Sequence, residues 1–75
     1  MKRIALNKLR LSDIESVKDS GEAIFIPEGD YGLAEIYHIN GRYEVYSIPT
    51  FGGKPTLELV DANPQIVLST IQSWN

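Results

Sequence analysis

Few side chains of this 75-residue chain have the types and spacing that catalysis or metal binding requires. His38 is its one histidine and there is no cysteine, which excludes a Cys–His pair and the usual multi-histidine zinc sites. Glu35 and Glu44 come closest to the paired carboxylates of general acid–base catalysis. Outside a pocket such glutamates are simply ionised, so we expect no catalytic residue and no enzymatic activity.

Three further motifs have the composition of a functional site without its full pattern. Glu28-Gly29-Asp30 offers oxygen ligands but is far from a complete calcium-binding loop. Gly52-Gly53-Lys54 lacks the Walker spacing and the Ser or Thr after its lysine, so it is interpreted as a flexible loop between strands. Ser12 fits a helix cap better than a nucleophile. We therefore expect no metal and no other cofactor.

Basic side chains are concentrated at the start of the chain, although its formal net charge is −3. A nucleic-acid-binding protein normally presents a basic stripe on folded elements, whereas the only basic cluster here is the terminal segment. We expect no nucleic-acid partner and keep binding through this cluster as the alternative hypothesis. The residues of the cluster are Lys2, Arg3, Lys8 and Arg10.

Neither a membrane span nor an export signal is predicted. No apolar run approaches the roughly 20 residues of a transmembrane helix. The basic start is not followed by the unbroken apolar stretch of about 7–15 residues that a secretory signal contains. We expect one small domain over residues 1–75, located in the cytoplasm and without a membrane partner.

Asn40-Gly41 is the strongest structural signal among the elements that position these residues. A type I′ turn needs positive φ at both central residues, which Asn-Gly adopts at little steric cost. The flanking segments 33–39 and 42–48 are rich in β-branched and aromatic residues. The sequence therefore predicts a β-hairpin with a two-residue turn, in which Ile39 pairs with Arg42.

Helices are predicted on both sides of the strands. Ser12-Asp13-Ile14-Glu15 matches a capping box and predicts a helix over about 13–20, which Gly21 ends. Residues 3–11 fit either a short strand or the start of a helix. Asn63-Pro64 predicts the start of a second helix. Its apolar stripe follows the helical period, and the last member is expected to close the edge of the core; the stripe comprises Pro64, Val67, Leu68, Ile71 and Trp74.

Two further strands complete the predicted sheet, at 22–27 and 56–60. Pro27 marks a strand end or an edge position, and Leu57 and Leu59 are both expected to face inward. The predicted fold is an α+β two-layer sandwich, in which a three- to four-stranded antiparallel meander carries a short N-terminal helix and a C-terminal helix on one face. This element order resembles that of double-stranded-RNA-binding domains. Their second helix starts with basic residues, which Asn63-Pro64-Gln65-Ile66 lacks, so no function is carried over.

The hairpin register divides the residues of its strands between two faces. One face is small and β-branched at its centre and carries no acid, so we expect it under the helices: Ala34, Ile36, His38, Tyr43, Val45 and Ser47. The other should face water or a partner: Leu33, Glu35, Tyr37, Ile39, Arg42, Glu44, Tyr46 and Ile48.

The second face is the best functional candidate, because it is more apolar and aromatic than a solvated sheet needs and tyrosine and arginine are enriched at interface hot spots. We expect a non-enzymatic protein-interaction or regulatory module that binds a protein partner or a second copy of itself. The predicted binding residues are Leu33, Tyr37, Ile39, Arg42, Tyr46 and Ile48. The alternative interpretation is that cross-strand pairs on this face only stabilise an open sheet.

Overall fold

The sheet has five strands, which lie side by side in chain order. The computed structural model describes residues 1–74. Its strands are β1 (Lys2–Arg3), β2 (Ile24–Glu28), β3 (Tyr31–Ile39), β4 (Arg42–Ser47) and β5 (Thr56–Asp61). A 3-10 turn (Leu6–Lys8) and helix α1 (Leu11–Glu15) connect β1 to β2, and helix α2 (Pro64–Gln72) follows β5.

Both helices pack on one side of the sheet and form the hydrophobic core with it. This arrangement confirms the predicted two-layer α+β sandwich. The core residues come from α2, from the segment around α1 and from β2, β3 and β4: Leu9, Ile14, Val17, Ile24, Ile26, Ala34, Ile36, Tyr43, Val45, Val67, Leu68 and Ile71.

The additional strand β1 pairs in parallel with β2, with Lys2 opposite Ile24 and Arg3 opposite Phe25. The meander itself is antiparallel throughout, as expected. A parallel pair needs a crossover connection, and the chain supplies one through the 3-10 turn and α1. Both interpretations of residues 3–11 are therefore partly right, since this segment starts in a strand and continues in helical turns.

Helix α1 begins and ends earlier than the predicted 13–20. The backbone N–H of Arg10 donates to Asp13 Oδ2 at 2.9 Å, so Asp13 rather than Glu15 reaches back to the helix start. Beyond the helix, Ser20 has a φ of 59° and is the left-handed residue predicted at Gly21. Ser20 N donates to the carbonyl of His38 at 2.7 Å. After α1 ends at Glu15, the chain bonds to the hairpin through Asp19 and Ser20.

The hairpin of β3 and β4 has the predicted turn and register. Asn40 and Gly41 have φ values of 54° and 77°, and Ile39 pairs with Arg42. Of the face predicted to lie under the helices, Ala34, Ile36 and Val45 are fully buried and Tyr43 is nearly so, while His38 and Ser47 are half-buried. The predicted burial of this face is therefore confirmed at its centre.

Two bulges change which side of the sheet a leucine occupies. In β3 the partners shift between Ala34 and Gly32, so Leu33 has no partner in β2 and packs against the core. In β5 the extra residue is Glu58. Leu57 therefore lies opposite Tyr46 and is 48% exposed, which corrects the prediction that it faces inward. Only Leu59 contacts the core.

Helix α2 has the predicted cap and the predicted buried stripe. Asn63 Oδ1 accepts a hydrogen bond from Gln65 N at 2.9 Å, and Pro64 is the first helical residue. Val67, Leu68 and Ile71 are buried. Trp74 is half-buried and packs against the core, so it closes the core edge as expected.

Candidate interaction site on the open sheet face

The side of the sheet opposite the helices, here called the open face, carries rows of side chains that cross the strands. One row follows the register through all five strands and consists of Arg3, Phe25, Glu35, Tyr46 and Leu57. The next row consists of Tyr37, Glu44 and Val60. No described helix packs against this side. The open face is therefore a continuous surface rather than the flank of a single hairpin.

At its centre, two tyrosines and two glutamates alternate in a square. Glu35 lies directly opposite Tyr46, and Tyr37 lies opposite Glu44. The tyrosines occupy one diagonal and meet edge to face, with ring centroids 5.5 Å apart and an interplanar angle of 87°. The glutamates occupy the other diagonal. We call these four residues the tyrosine–glutamate square.

Each tyrosine of the square donates to the glutamate two residues away on its own strand. Tyr37 Oη donates to Glu35 Oε1 at 3.3 Å, and Tyr46 Oη donates to Glu44 Oε1 at 2.8 Å. Partial burial, followed by the charge of Glu35, raises the pKa of Tyr37. The hydrogen bond to Glu44 is the main cause that raises the pKa of Tyr46. Both phenols therefore stay protonated at neutral pH and act as donors.

A groove of about 390 Å³ opens over the square. Its other walls are Ile39 at the hairpin end, and Lys54 and Pro55 from the loop between β4 and β5. The two ion pairs within residues 1–74 join the Met1 amino group to Glu22 and Arg10 to Asp13. Neither glutamate of the square therefore has a cationic partner in the described part of the chain.

The groove continues into an apolar surface around Gly32. A Cβ at this position would lie 2.7 Å from Ile48 Cδ1 and 2.9 Å from Phe25 Cε2. The missing side chain thus allows two larger ones to close over the backbone. The guanidinium carbon of Arg3 lies 5.0 Å from the centroid of the Phe25 ring, within the range of a cation–π contact.

The structure brings most of the predicted binding residues together. Tyr37, Tyr46 and Ile39 line the groove, Ile48 lies beside it, and Arg42 is exposed opposite Ile39. Leu33 is the exception, because its bulge turns it towards the core.

Several residues of the open face were not predicted from the sequence. Among them, Phe25, Gly32, Lys54 and Pro55 come to this face through pairings and loop packing beyond the hairpin. The alternation of Ile24-Phe25-Ile26 is the one signal that pointed to Phe25, since it places this ring opposite two buried isoleucines.

The basic N-terminal residues do not share one surface. Consecutive strand residues point to opposite faces. Lys2 accordingly lines a concavity with Asp13 and Glu22, whereas Arg3 stacks on Phe25. Lys8 and Arg10 border a third concavity of about 330 Å³. Nucleic-acid binding through these residues stays a prediction, and no stripe of basic side chains supports it.

Polar groups at the hairpin end hold the backbone. Asp19 accepts hydrogen bonds from Asn40 N at 3.1 Å and from Gly41 N at 2.6 Å. These bonds, that of Gly41 foremost, lower the pKa of Asp19. His38 Nδ1 lies 2.7 Å from the carbonyl oxygen of Val17, and its ring stacks on Tyr43 with centroids 4.4 Å apart. The only histidine is thus engaged in joining the hairpin to the end of α1.

Comparisons with protein-family models, curated proteins and solved structures found no match to this chain. Within residues 1–74 no three His, Asp or Glu side chains converge as metal ligands would. The described helices are too short or too polar for any of them to cross a membrane. Function must therefore be inferred from the geometry of the chain itself.

Proposed function

We propose that this protein is a non-enzymatic interaction or regulatory module that binds a protein partner, or a second copy of itself, through the open face. The observation that carries the proposal is the groove over the tyrosine–glutamate square. An antiparallel sheet with one solvated side normally presents polar residues there. Here Tyr37, Tyr46 and Ile39 form a half-buried, largely apolar centre.

Exposed apolar side chains around the groove also support the proposal. Leu57 and Val60, on the edge strand β5, are 48% and 41% exposed. Phe51, in the loop that contributes Lys54, is 97% exposed. Contiguous apolar patches rimmed by polar residues mark interaction surfaces more often than solitary apolar residues do. An aromatic ring exposed to this extent is suited to act as an anchor in a partner pocket.

The non-enzymatic part of the proposal is supported by the hydrogen bonds and ring contacts that the reactive side chains already make. His38 is held by Val17 and Tyr43, and both glutamates of the square accept hydrogen bonds from tyrosines. His38, the residue type most often used in general acid–base catalysis, is therefore engaged in holding the hairpin. A cytoplasmic location is also part of the proposal and rests on the sequence alone.

The test compares two tyrosine variants in the same protein. Tyr37→Thr/Tyr46→Thr removes both rings of the groove and keeps a β-branched hydroxyl at each site. Tyr31→Thr is the matched control, because Tyr31 lies in the same strand, is 56% exposed and does not line the groove. Cooperative urea unfolding of each variant establishes that it is folded.

Each protein is used to capture partners from nuclease-treated lysate and is examined by analytical ultracentrifugation. We expect wild type and Tyr31→Thr to retain a specific protein, or to dimerise, where the double variant does neither. Identical capture and identical sedimentation of all three folded proteins would contradict the proposal. Threonine leaves the charge of the square unchanged, whereas glutamate would add charge beside Glu35 and Glu44.

A further inference from the structure

The glutamates of the tyrosine–glutamate square have acceptor capacity to spare. Each uses Oε1 to accept a tyrosine hydroxyl, and among residues 1–74 no donor lies at Oε2 of either. Both side chains are half-buried within the groove. Lys54 is the one cation among the residues that line the groove, and it forms no ion pair with either glutamate. Two carboxylates against one lysine leave the groove with a net negative charge. The groove therefore attracts a positive group.

The tyrosine rings select the kind of positive group. Aromatic faces attract cations within about 6 Å of the centroid, and arginine is the more frequent partner. Its planar guanidinium stacks on a ring while its N–H groups donate to a carboxylate, which an ammonium group does less well. The open face already contains one such contact, between Arg3 and Phe25 at 5.0 Å.

We infer that the groove binds an arginine side chain from a basic segment of a protein partner, an inference that rests on the proposed interaction function. The guanidinium lies between Glu35 and Glu44 and stacks on Tyr37 or Tyr46. The groove is open to solvent, and its volume of about 390 Å³ leaves room for a planar side-chain head group over the two rings.

Charge favours such a partner over a second copy of this chain. The net charge is −3 and the isoelectric point is about 4.9, so two copies repel each other at neutral pH, whereas a basic protein is attracted. Of the cations of the open face, Arg3 stacks on Phe25 and Lys54 borders the groove. Arg42 is exposed at the hairpin end, so it is the arginine of this face that a second copy presents.

The test uses a defined peptide instead of an unidentified partner. The probe is the acetylated and amidated peptide Gly-Ser-Arg-Ser-Arg-Ser-Gly, and its twin carries citrulline in place of both arginines. Citrulline has almost the same shape but no charge. Binding to the ¹⁵N-labelled full chain is followed by NMR at low ionic strength, because salt screens charge pairs at exposed sites.

Paired charge-removing variants separate the square from bulk charge. Glu35→Gln/Glu44→Gln neutralises the square. Glu15→Gln/Glu28→Gln removes the same two charges at exposed positions outside the groove. The amide spectrum of each variant shows whether it is folded, and the comparison of the two peptides on wild type needs no variant at all.

We expect the arginine peptide to shift amides of 35–37 and 44–46 and to bind about fivefold or more tightly than the citrulline peptide, the gain of one partly desolvated cation–π and charge contact. Glu35→Gln/Glu44→Gln should lose this preference, and Glu15→Gln/Glu28→Gln should keep it. Equal binding of both peptides, no binding, shifts outside the open face, or equal losses in the two variants would each overturn the inference.

Failure of the inference is distinguishable from failure of the proposed function. A partner that is lost with Tyr37→Thr/Tyr46→Thr but bound normally by Glu35→Gln/Glu44→Gln overturns the arginine site and leaves the interaction function standing. Dimerisation through the tyrosines without peptide binding assigns the face to a second copy and likewise overturns the arginine site. If neither partner capture nor dimerisation changes in Tyr37→Thr/Tyr46→Thr, both the proposed function and the arginine site are wrong.

Discussion

The two faces of the same sheet solve the packing problem in different ways. On the covered face, Ala34, Ile36 and Val45 are fully buried against the helices. On the open face, the residues between them are tyrosines and glutamates that satisfy one another along each strand. Neighbouring residues of one strand thus have different roles. The covered face forms the core, and the open face is the surface that we propose for recognition.

The same substitution on the two faces of β3 tests this division and should produce the largest change in the free energy of unfolding. Ile36→Ala removes a fully buried side chain and should lower the free energy of unfolding by about 3–4 kcal/mol. Ile39→Ala, at a half-buried position beside the groove, should lower it by about 1 kcal/mol. Urea denaturation measures both. Equal losses would show that the open face is as much a part of the core as the covered one.

A smaller effect is expected at the point where the open face is closed by two side chains. Gly32→Ala places a Cβ within 3 Å of Ile48 Cδ1 and Phe25 Cε2, so one of them must move. Both atoms are far ends of side chains on the open face, so we expect the free energy of unfolding to change by less than about 1 kcal/mol, because the reduced freedom of the unfolded chain offsets part of the crowding. The NMR signals of the Phe25 ring should shift. Unchanged ring signals would mean that the two side chains do not close over Gly32.

The acid dependence of stability tests the carboxylate that holds the backbone of the hairpin turn. The pKa of Asp19 is lowered in the folded state, so as the pH falls this carboxylate is protonated in the unfolded chain first, near pH 3.9. The stability that Asp19 contributes is complete above that pH and is lost as the pH falls through the lower pKa of the folded state. Asp19→Asn should therefore lose stability at pH 7 and depend less on pH between about 5 and 3 than wild type. Parallel acid profiles for the two proteins in urea unfolding would refute this.

The smallest effect sharpens the description of the open face. Tyr46→Phe removes the hydroxyl that donates to Glu44 and should change the free energy of unfolding only slightly, because this hydrogen bond largely replaces one with water. In Glu44→Gln the pKa of Tyr46 should fall back towards its ordinary value, because its hydrogen bond to a charged acceptor is gone. The raised pKa of Tyr46 in wild type favours the neutral phenol. The stability that Tyr46 contributes is therefore present at neutral pH and disappears as the pH rises through that raised pKa. Ultraviolet titration of the tyrosines follows the shift, and a titration unaffected by Glu44→Gln would rule out this hydrogen bond.

Local chemistry made part of this fold predictable. Asn40-Gly41 determines the turn and register of the hairpin, and Asn63-Pro64 determines the start of α2. Each signal acts within a few residues. Because strict alternation follows from the hairpin register, it also assigned Tyr37 and Tyr46 to the open face.

The features that escaped prediction depend on partners distant in sequence. Leu33 and Leu57 changed sides because one bulge lies in β3 opposite β2 and another lies in β5 opposite β4, which the hairpin alone does not reveal. The segment after α1, predicted as helix, instead bonds through Asp19 and Ser20 to the hairpin about twenty residues away. The groove needed Lys54 and Pro55 from a loop whose composition indicated only flexibility.

The bond between Asp19 and the hairpin turn has a consequence for protein engineering. Exposed loop tips normally tolerate inserted tags and labels, and Asn40-Gly41 lies at such a tip. Because both of its backbone N–H groups are held by a carboxylate from another segment, an insertion there would release that segment along with the turn. The loop at 50–53 is the better place for a fluorophore, where its proximity to the groove would make the dye a sensor of whatever enters.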